Sequence, residues 1–274
     1  MESYLLLGAI QGLTEFLPVS SSGHLTIAQA FLGFANPEKN LALDLVLHVG
    51  TLLAVCWYFR ADLLPFLHPS GWQDPRRLRL ALLVILASLP TAAIGLGFKD
   101  LFEEMFASPR LVCLALAITA SLLLAAERFA RPPLHDQAEA APWWKVLVIG
   151  VAQGIAVTPG ISRSGATIAT GLLLGLPGPE AARFSFLISI PAVGGAALLE
   201  ARKLWQPIQA ENIASALPAS GLALGFLASA VTGLLALHLL HVVVRRQKLS
   251  WFSWYLYAAA GTAFILLTVR GVPQ

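Results

Sequence analysis

Charge is what this chain has least of. Only 12% of its 274 residues are Asp, Glu, Lys or Arg, while 57% are hydrophobic. Soluble domains carry about 25% charged residues. So little charge excludes an ordinary water-soluble globule and points to an all-α polytopic membrane protein. The formal net charge of +3 comes without a basic tail or cluster, which removes nucleic acid from the partners to consider. Cysteine is nearly missing. Cys56 and Cys113 each lie inside an apolar run and read as small buried hydrophobes, not as a disulfide or a metal pair. A cleavable leader is missing as well. MESYLLLGAIQG has no basic stretch before its apolar residues and runs straight into polar sequence.

What the chain does have is apolar length. Residues 41–60, 78–97, 110–129, 183–201, 216–240 and 251–269 form six runs, each close to the ~20 residues that cross a bilayer. Four further runs, 2–10, 25–34, 146–157 and 166–176, are too short to span. They come in pairs around polar turns and predict two re-entrant helical hairpins. Irregular backbone at membrane depth is tolerated only inside protein or beside a water-filled cavity. Pro18 and Gly23 are expected to break the first hairpin, and Pro177, Gly178 and Pro179 to end the second. Pro191 with Gly194 and Gly195 should bend or thin the fourth span and let a neighbour or substrate approach.

The two turns are copies. Gln11, Gly12, Ser20, Ser22, Gly23, Leu32 and Gly33 recur 142 positions later as Gln153, Gly154, Ser162, Ser164, Gly165, Leu174 and Gly175. A constant offset over this many matches implies an internal duplication, roughly 1–130 and 143–274, within one membrane domain spanning 1–274. The basic residues orient it. Arg60, Arg76, Arg77 and Arg79, then Arg128, Arg131 and Lys145, then Arg245, Arg246 and Lys248 fall in three loops on one side. The opposite loops hold only Lys99 and Arg110, then Arg202 and Lys203. The first set is therefore expected in the cytoplasm. The first hairpin then enters from outside and the second from the cytoplasm, which makes the halves inverted repeats meeting near the midplane. Transporters share that plan.

The copies differ where chemistry would sit. Glu15, Ser21 and His24 of the first become Val157, Arg163 and Ala166 in the second. If the two tips meet, one brings a base or nucleophile and the other a fixed cation. Ionisable side chains within a membrane are expensive and are functional candidates. Glu15 lies four residues after Gln11, on the same helical face, and suits a divalent cation, a proton acceptor or a partner for Arg163. His24 suits attack on phosphorus, general base catalysis or a backbone bond at a helix start. Ser20, Ser21 and Ser22 suit N-caps, and one hydroxyl also suits attack on a phosphate or holding one. Arg163 needs an anion, and its guanidinium matches the two-point grip on a phosphoryl group. Ser162, Ser164, Gly165 and Thr167 surround it, and the helix start after Gly165 offers backbone N–H groups to an anion.

Other polar residues read more plainly. His48 is equally a core or a pocket residue, and His68, His135, His238 and His241 read as loop or span-end residues. Glu103 and Glu104 read as a solvated face. Trp143, Trp144, Trp251 and Trp254 sit at span ends, as interface anchors do. The small-residue face Ala258 to Gly261 suits either a homodimer or packing within the chain.

The stretches QGLTEFLPVSSSGH and PGISRSGATI together resemble the undecaprenyl-diphosphate phosphatase family, once described as bacitracin-resistance proteins. One signature falls on Gln11, Glu15, Pro18, Ser20, Ser21, Gly23 and His24. The other falls on Pro159, Gly160, Ser162, Arg163, Ser164, Gly165 and Thr167. The likeness continues through HVGTLLAVCWYFR and SFLISIPAVGGA and so covers nearly the whole chain. Gln11 stands where some members have Glu, which leaves Glu15 as the principal acid.

The resemblance implies a bacterial inner-membrane enzyme with its active site facing the periplasm. It would remove the terminal phosphate of undecaprenyl diphosphate, regenerating the carrier for peptidoglycan synthesis. A divalent cation, Mg²⁺ or Ca²⁺, would assist on Glu15 and Gln11. Arg163 would clamp the phosphoryl oxygens. His24 would attack phosphorus or activate the attacking group, and Ser21 or water would be that group. Ser20, Ser22, Ser162, Ser164, Gly165 and Thr167 would contribute to substrate binding. The motif leans slightly towards a direct role for His24, its one strong neutral-pH nucleophile. Two other readings stand beside this one. A secondary transporter or flippase for a polyprenyl phosphate would release no phosphate in detergent. A structural membrane protein would tolerate alanine at Glu15, His24 and Arg163.

Overall fold

A computed structural model describes residues 1–34, 37–106, 108–134, 137–204, 217–245 and 248–269, without the side chains of 37–39, 103 and 106. His135, Arg246 and the side chain of Glu103 therefore lie outside the described residues. The first pair of short helices is α1 (Glu2–Phe16) and α2 (Ser21–Leu32). The span α3 (Pro37–Tyr58), the short α4 (Arg60–Leu63) and the span α5 (Pro75–Gly97) follow. A short α6 (Lys99–Phe106) precedes the span α7 (Pro109–Phe129). The second short pair is α8 (Trp143–Ile155) and α9 (Arg163–Leu173). The chain closes with three spans, α10 (Gly178–Leu204), α11 (Ala219–Arg245) and α12 (Ser250–Val269).

All six predicted runs are long apolar helices able to cross a membrane, and the protein is an all-α polytopic membrane protein. Large apolar side chains such as Leu82, Ile85, Leu114, Val231 and Ile265 are at least half exposed on these helices, as lipid-facing residues are. Trp143, Trp144, Trp251 and Trp254 are exposed at the starts of α8 and α12. Cys56 and Cys113 are free, and Cys113 is buried. Pro191 and Pro90 sit inside helices that continue past them.

The first short helix runs six residues beyond the predicted apolar run of 2–10, so Gln11 and Glu15 stand on its last turns. Gly23 does not break the chain. It lies in the first turn of α2, and the break falls at Leu17–Ser20. Ser20 caps that helix by accepting from the Gly23 N–H, and Ser162 caps α9 by accepting from the Gly165 N–H. Gly23 is needed for space instead. A Cβ there would sit 3.0 Å from Leu116 Cδ2 and 3.4 Å from Gly160 Cα in the second turn.

Close docking of the short helices positions these turns. Helix α1 lies on α11, where a Cβ at Gly12 would come 2.0 Å from Thr232 Oγ1 and 2.4 Å from the Ser229 carbonyl. Helix α8 lies on α5, where a Cβ at Gly150 would come 2.2 Å from the Ala87 carbonyl. Small residues let membrane helices approach at backbone distance. Helix α3 packs on α10 and α7 on α12. Phe16, at the end of α1, is 1% exposed and meets Phe186 of α10 edge-on at 5.7 Å, locking the first turn into the shared core. At the start of α10, Arg183 binds Asp62 at 2.6 Å, Glu139 at 3.0 Å and Glu180 at 3.2 Å, tying two connecting segments to this span.

Candidate active site

The two polar turns meet although 142 positions separate them. Ser164 Oγ donates to the Leu17 carbonyl at 3.0 Å, joining the start of α9 to the end of α1. Helix α7 holds the second turn from behind, with Thr119 Oγ1 donating to the Gly160 carbonyl and accepting from the Ser162 N–H. Ser20, in the first turn, has φ 68° and is the one described non-glycine residue with positive φ. Such a conformation costs on the order of 1–3 kcal/mol and persists where surrounding contacts impose it. Here it lets the Ser20 hydroxyl cap Gly23 while its carbonyl accepts from the His24 N–H and meets the His24 ring.

At the junction, Arg163 Nη2 donates to Glu15 Oε1 at 2.6 Å. The other oxygen, Oε2, accepts from Ser21 Oγ at 2.5 Å and from Gln11 Nε2 at 2.9 Å. The carboxylate is 7% exposed, so these donors replace its lost hydration. Arg163, Glu15, Ser20, Ser21, Ser22 and Ser162 face a cavity of about 180 Å³. A phosphoryl group entering it would meet a guanidinium and hydroxyls together, with a carboxylate hydrogen-bonded to one hydroxyl.

The remaining predicted residues stand behind this wall. Gln11 is fully buried beneath Glu15, and among the described residues its Oε1 has no hydrogen-bond partner. Ser164 joins the turns, as described. The Gly165 amide, read from sequence as open to an anion, is occupied by Ser162. Thr167 Oγ1 meets Ser185 Oγ at 2.5 Å and donates to the Arg163 carbonyl, one turn behind the guanidinium. His24 does not line the cavity. Its Nδ1 lies 2.8 Å from the Ser20 carbonyl, which only accepts, so Nδ1 carries the proton. Its Nε2 then accepts from the Tyr255 hydroxyl at 2.7 Å, and the two rings stack.

Two residues outside the predicted site also line the cavity: His48, which the sequence left between core and pocket, and Glu200, which it did not single out. His48 Nε2 lies 3.9 Å from Glu15 Oε2. The His48 Nδ1 is held by the Asp44 carbonyl at 2.7 Å, and the Asp44 carboxylate accepts from Gln29. The available signal was a stripe. Asp44, His48 and Thr51 recur at +4 and +3, one face of an otherwise apolar span. Among the described residues, no three His, Cys, Asp or Glu side chains converge as a metal site.

This junction can be set beside known proteins. Residues 4–262 match the family described as Bacitracin resistance protein BacA. Curated relatives agree over almost full length. The undecaprenyl-diphosphatase of Desulfatibacillum aliphaticivorans is 42% identical over 95% of this chain and 96% of its own. Those of Rubrobacter xylanophilus and Syntrophotalea carbinolica are each 44% identical over 96% of this chain and 97% of theirs. The polar turns that build the Glu15–Arg163 junction fall inside the matched region, and the chain belongs to the bacitracin resistance protein BacA family.

Proposed function

We propose that the protein removes the terminal phosphate of undecaprenyl diphosphate, leaving undecaprenyl phosphate for cell-wall lipid-carrier recycling. The carrying observation is the junction itself: Arg163, Glu15 and Ser21, drawn from two distant turns, in bonding contact at one small cavity. The curated relatives bear the name of that activity.

Phosphoryl transfer asks mainly for positioning and charge neutralisation. Arg163 binds the oxygens of the terminal phosphoryl group. The Ser21 hydroxyl attacks its phosphorus while Glu15 Oε2, already hydrogen-bonded to it, takes the proton. The anhydride P–O bond breaks and undecaprenyl phosphate leaves. Glu15 gives its proton up to solvent as that product departs. Water then attacks the phosphoserine. Glu15 takes the water's proton and returns it to the Ser21 oxygen as the Ser21 O–P bond breaks, and inorganic phosphate leaves with Ser21 restored. His24 supports this chemistry without attacking, because both of its nitrogens are engaged and it stands outside the cavity wall. Ser20 and Ser162 shape the turns, and Ser22 stands ready to bind substrate oxygen.

A divalent cation fits this arrangement as a companion of the diphosphate. The buried Gln11 Oε1 is an acceptor lacking a partner next to Glu15. Gln11 and Glu15 would hold the ion, substrate oxygens would complete its shell, and it would neutralise diphosphate charge.

The same reading makes the halves inverted repeats with two re-entrant hairpins. Helices α1, α2, α8 and α9 have 15, 12, 13 and 11 residues, short of a bilayer crossing. The equivalent glycines Gly12 and Gly154 both dock tightly, one on α11 and the other on α5, so each half holds the other's hairpin. With the basic loops in the cytoplasm of a bacterial inner membrane, the active site faces the periplasm.

The deciding experiment uses purified protein in detergent, where transport has no meaning. Inorganic phosphate should be released from undecaprenyl diphosphate. Absence of release from a folded sample would overturn the reading in favour of lipid transport.

A further inference from the structure

The cavity at the junction is not polar throughout. On α10 its wall is Ala192, Val193, Ala196 and Ala197, positions that share one helix face, with Glu200 one turn further along that face. Opposite stand Ala156 and Val157 of the second turn. Among the described residues, a Cβ on Gly195 would meet nothing within 4 Å, and one on Gly194 would meet only Leu52 Cδ2 at 3.9 Å. Leu198 and Leu199 beyond them are 72% and 50% exposed. The cavity that holds Arg163 and Glu15 thus also presents a patch of methyl groups on α10, ahead of Glu200 in the chain.

A second apolar groove exists, between α2 and α12, lined by Ile27, Phe31, Tyr255 and Thr262 among others. It shares no lining residue with the cavity. The His24–Tyr255 hydrogen bond lies at its edge, on the path towards the serines of the first turn.

We propose that the polyprenyl tail of the substrate leaves the cavity over the α10 face formed by Ala192, Val193 and Ala196, past Val157, and that this face sets tail-length preference. The proposal rests on the lipid-diphosphatase reading given above. A lipid diphosphate needs an anion clamp joined without a gap to apolar surface, since crossing polar groups would leave them unpaired. The α10 wall meets that need because it belongs to the same cavity as Arg163 and Glu15. Its small side chains leave a furrow where larger ones would close it, and Pro191 removes a backbone donor at the furrow's start.

The test compares undecaprenyl diphosphate with farnesyl diphosphate, which shares the head group and has a far shorter tail. Ala196→Phe and Ala192→Leu add bulk to the furrow, and Ala196 is already exposed, so the fold accommodates the change. Each should lower kcat/KM for the long substrate about tenfold more than for the short one, the scale on which an apolar pocket discriminates added bulk. Leu198→Phe, elsewhere on α10, and Thr262→Phe, in the α2–α12 groove, should leave the ratio of the two substrates unchanged. Equal loss on both substrates, or no loss on either, would overturn the proposal, as would selective loss in Thr262→Phe alone. A photoactivatable polyprenyl phosphate provides a readout independent of turnover. Cross-links on α10 support the route even if the protein releases no phosphate, and cross-links confined to α12 refute it.

Discussion

Two arginines carry opposite lessons. Arg183 meets three carboxylates, Asp62, Glu139 and Glu180, all within 3.2 Å. Among the described residues, Arg163 meets one, Glu15. Both are mostly buried, and both join segments far apart in sequence. Arg183 is saturated: its partners already supply more negative charge than it can balance, so another anion has no reason to enter. Arg163 has a single carboxylate and a cavity beside it, which leaves guanidinium N–H groups for a phosphoryl oxygen. The number of anions around each guanidinium separates a structural tie from a site for substrate.

The largest effect that could break this contrast is on turnover. Arg163→Ala should lower phosphate release by on the order of 10³-fold or more, the scale of a guanidinium that neutralises phosphoryl-transfer charge. The purified variant should also melt somewhat earlier, because Glu15 is left buried without its guanidinium, but turnover per folded molecule should still be lost. Arg163→Lys should recover little, because an ammonium lacks the planar two-point grip. A variant that melts early and retains turnover per folded molecule would make Arg163 a structural tie like Arg183.

Nearly as large is the split between Ser21 and His24. Ser21→Ala should almost abolish release, whereas His24→Ala should keep a measurable fraction, since His24 acts by positioning the turn. Rapid quenching of the parent should trap an acid-stable phosphoserine. An acid-labile phosphohistidine would return the nucleophile's role to His24. This split marks a limit of the sequence. Ser21 and His24 are three residues apart on α2 and point in neighbouring directions, so spacing alone cannot tell which faces the cavity. The deciding contact is with Tyr255, 231 positions away.

Other features were legible because they are local. Hydropathy finds six spans since lipid rewards uninterrupted apolar length. The Gln11–Glu15 bond follows from their spacing of four on a helix. The meeting of Glu15 and Arg163 was readable only through the sequence match at a 142-position offset, which sets a cation in one turn where the other has a serine. Glu200 escaped, and His48 stayed open between core and pocket, because their role depends on how α3 and α10 rotate about their own axes, and that is set by packing between helices far apart in sequence. Gly23 was misread for a related reason. A glycine after serines looks like a breaker until the second turn is known to press against it.

For Arg183 the expected loss is in stability. Arg183→Ala leaves Asp62, Glu139 and Glu180 facing one another and should cost about 3–5 kcal/mol, as removal of one partner from a buried ionic group does. A midpoint lowered by roughly 10 °C in detergent corresponds to that cost. Turnover per folded molecule should survive at a temperature where the variant is intact. A less charged partner set sharpens the point: Glu180→Gln combined with Arg183→Met should recover part of the lost midpoint. Loss of turnover from fully folded Arg183→Ala would show that the tie reaches the active site.

The smallest expected effect concerns Gln11. It donates to Glu15 through Nε2, and its Oε1 is left without a partner. Gln11→Glu would place a second carboxylate one helical turn from the first, both buried, with no second guanidinium to balance it. A divalent cation would relieve that repulsion. The variant should therefore reach half-maximal phosphate release at about tenfold lower Mg²⁺ or Ca²⁺, since ligand charge governs affinity for hard cations. It should also lose more activity on chelation than the parent does. Gln11→Met removes both the donor to Glu15 and the acceptor for a cation, and should move the half-saturating concentration the other way. Calorimetric titration with Mg²⁺ in the presence of a non-hydrolysable diphosphate gives the same comparison without turnover. Identical cation dependence in the parent and both variants would take Gln11 out of cation binding and leave Arg163 to neutralise the diphosphate through the protein alone.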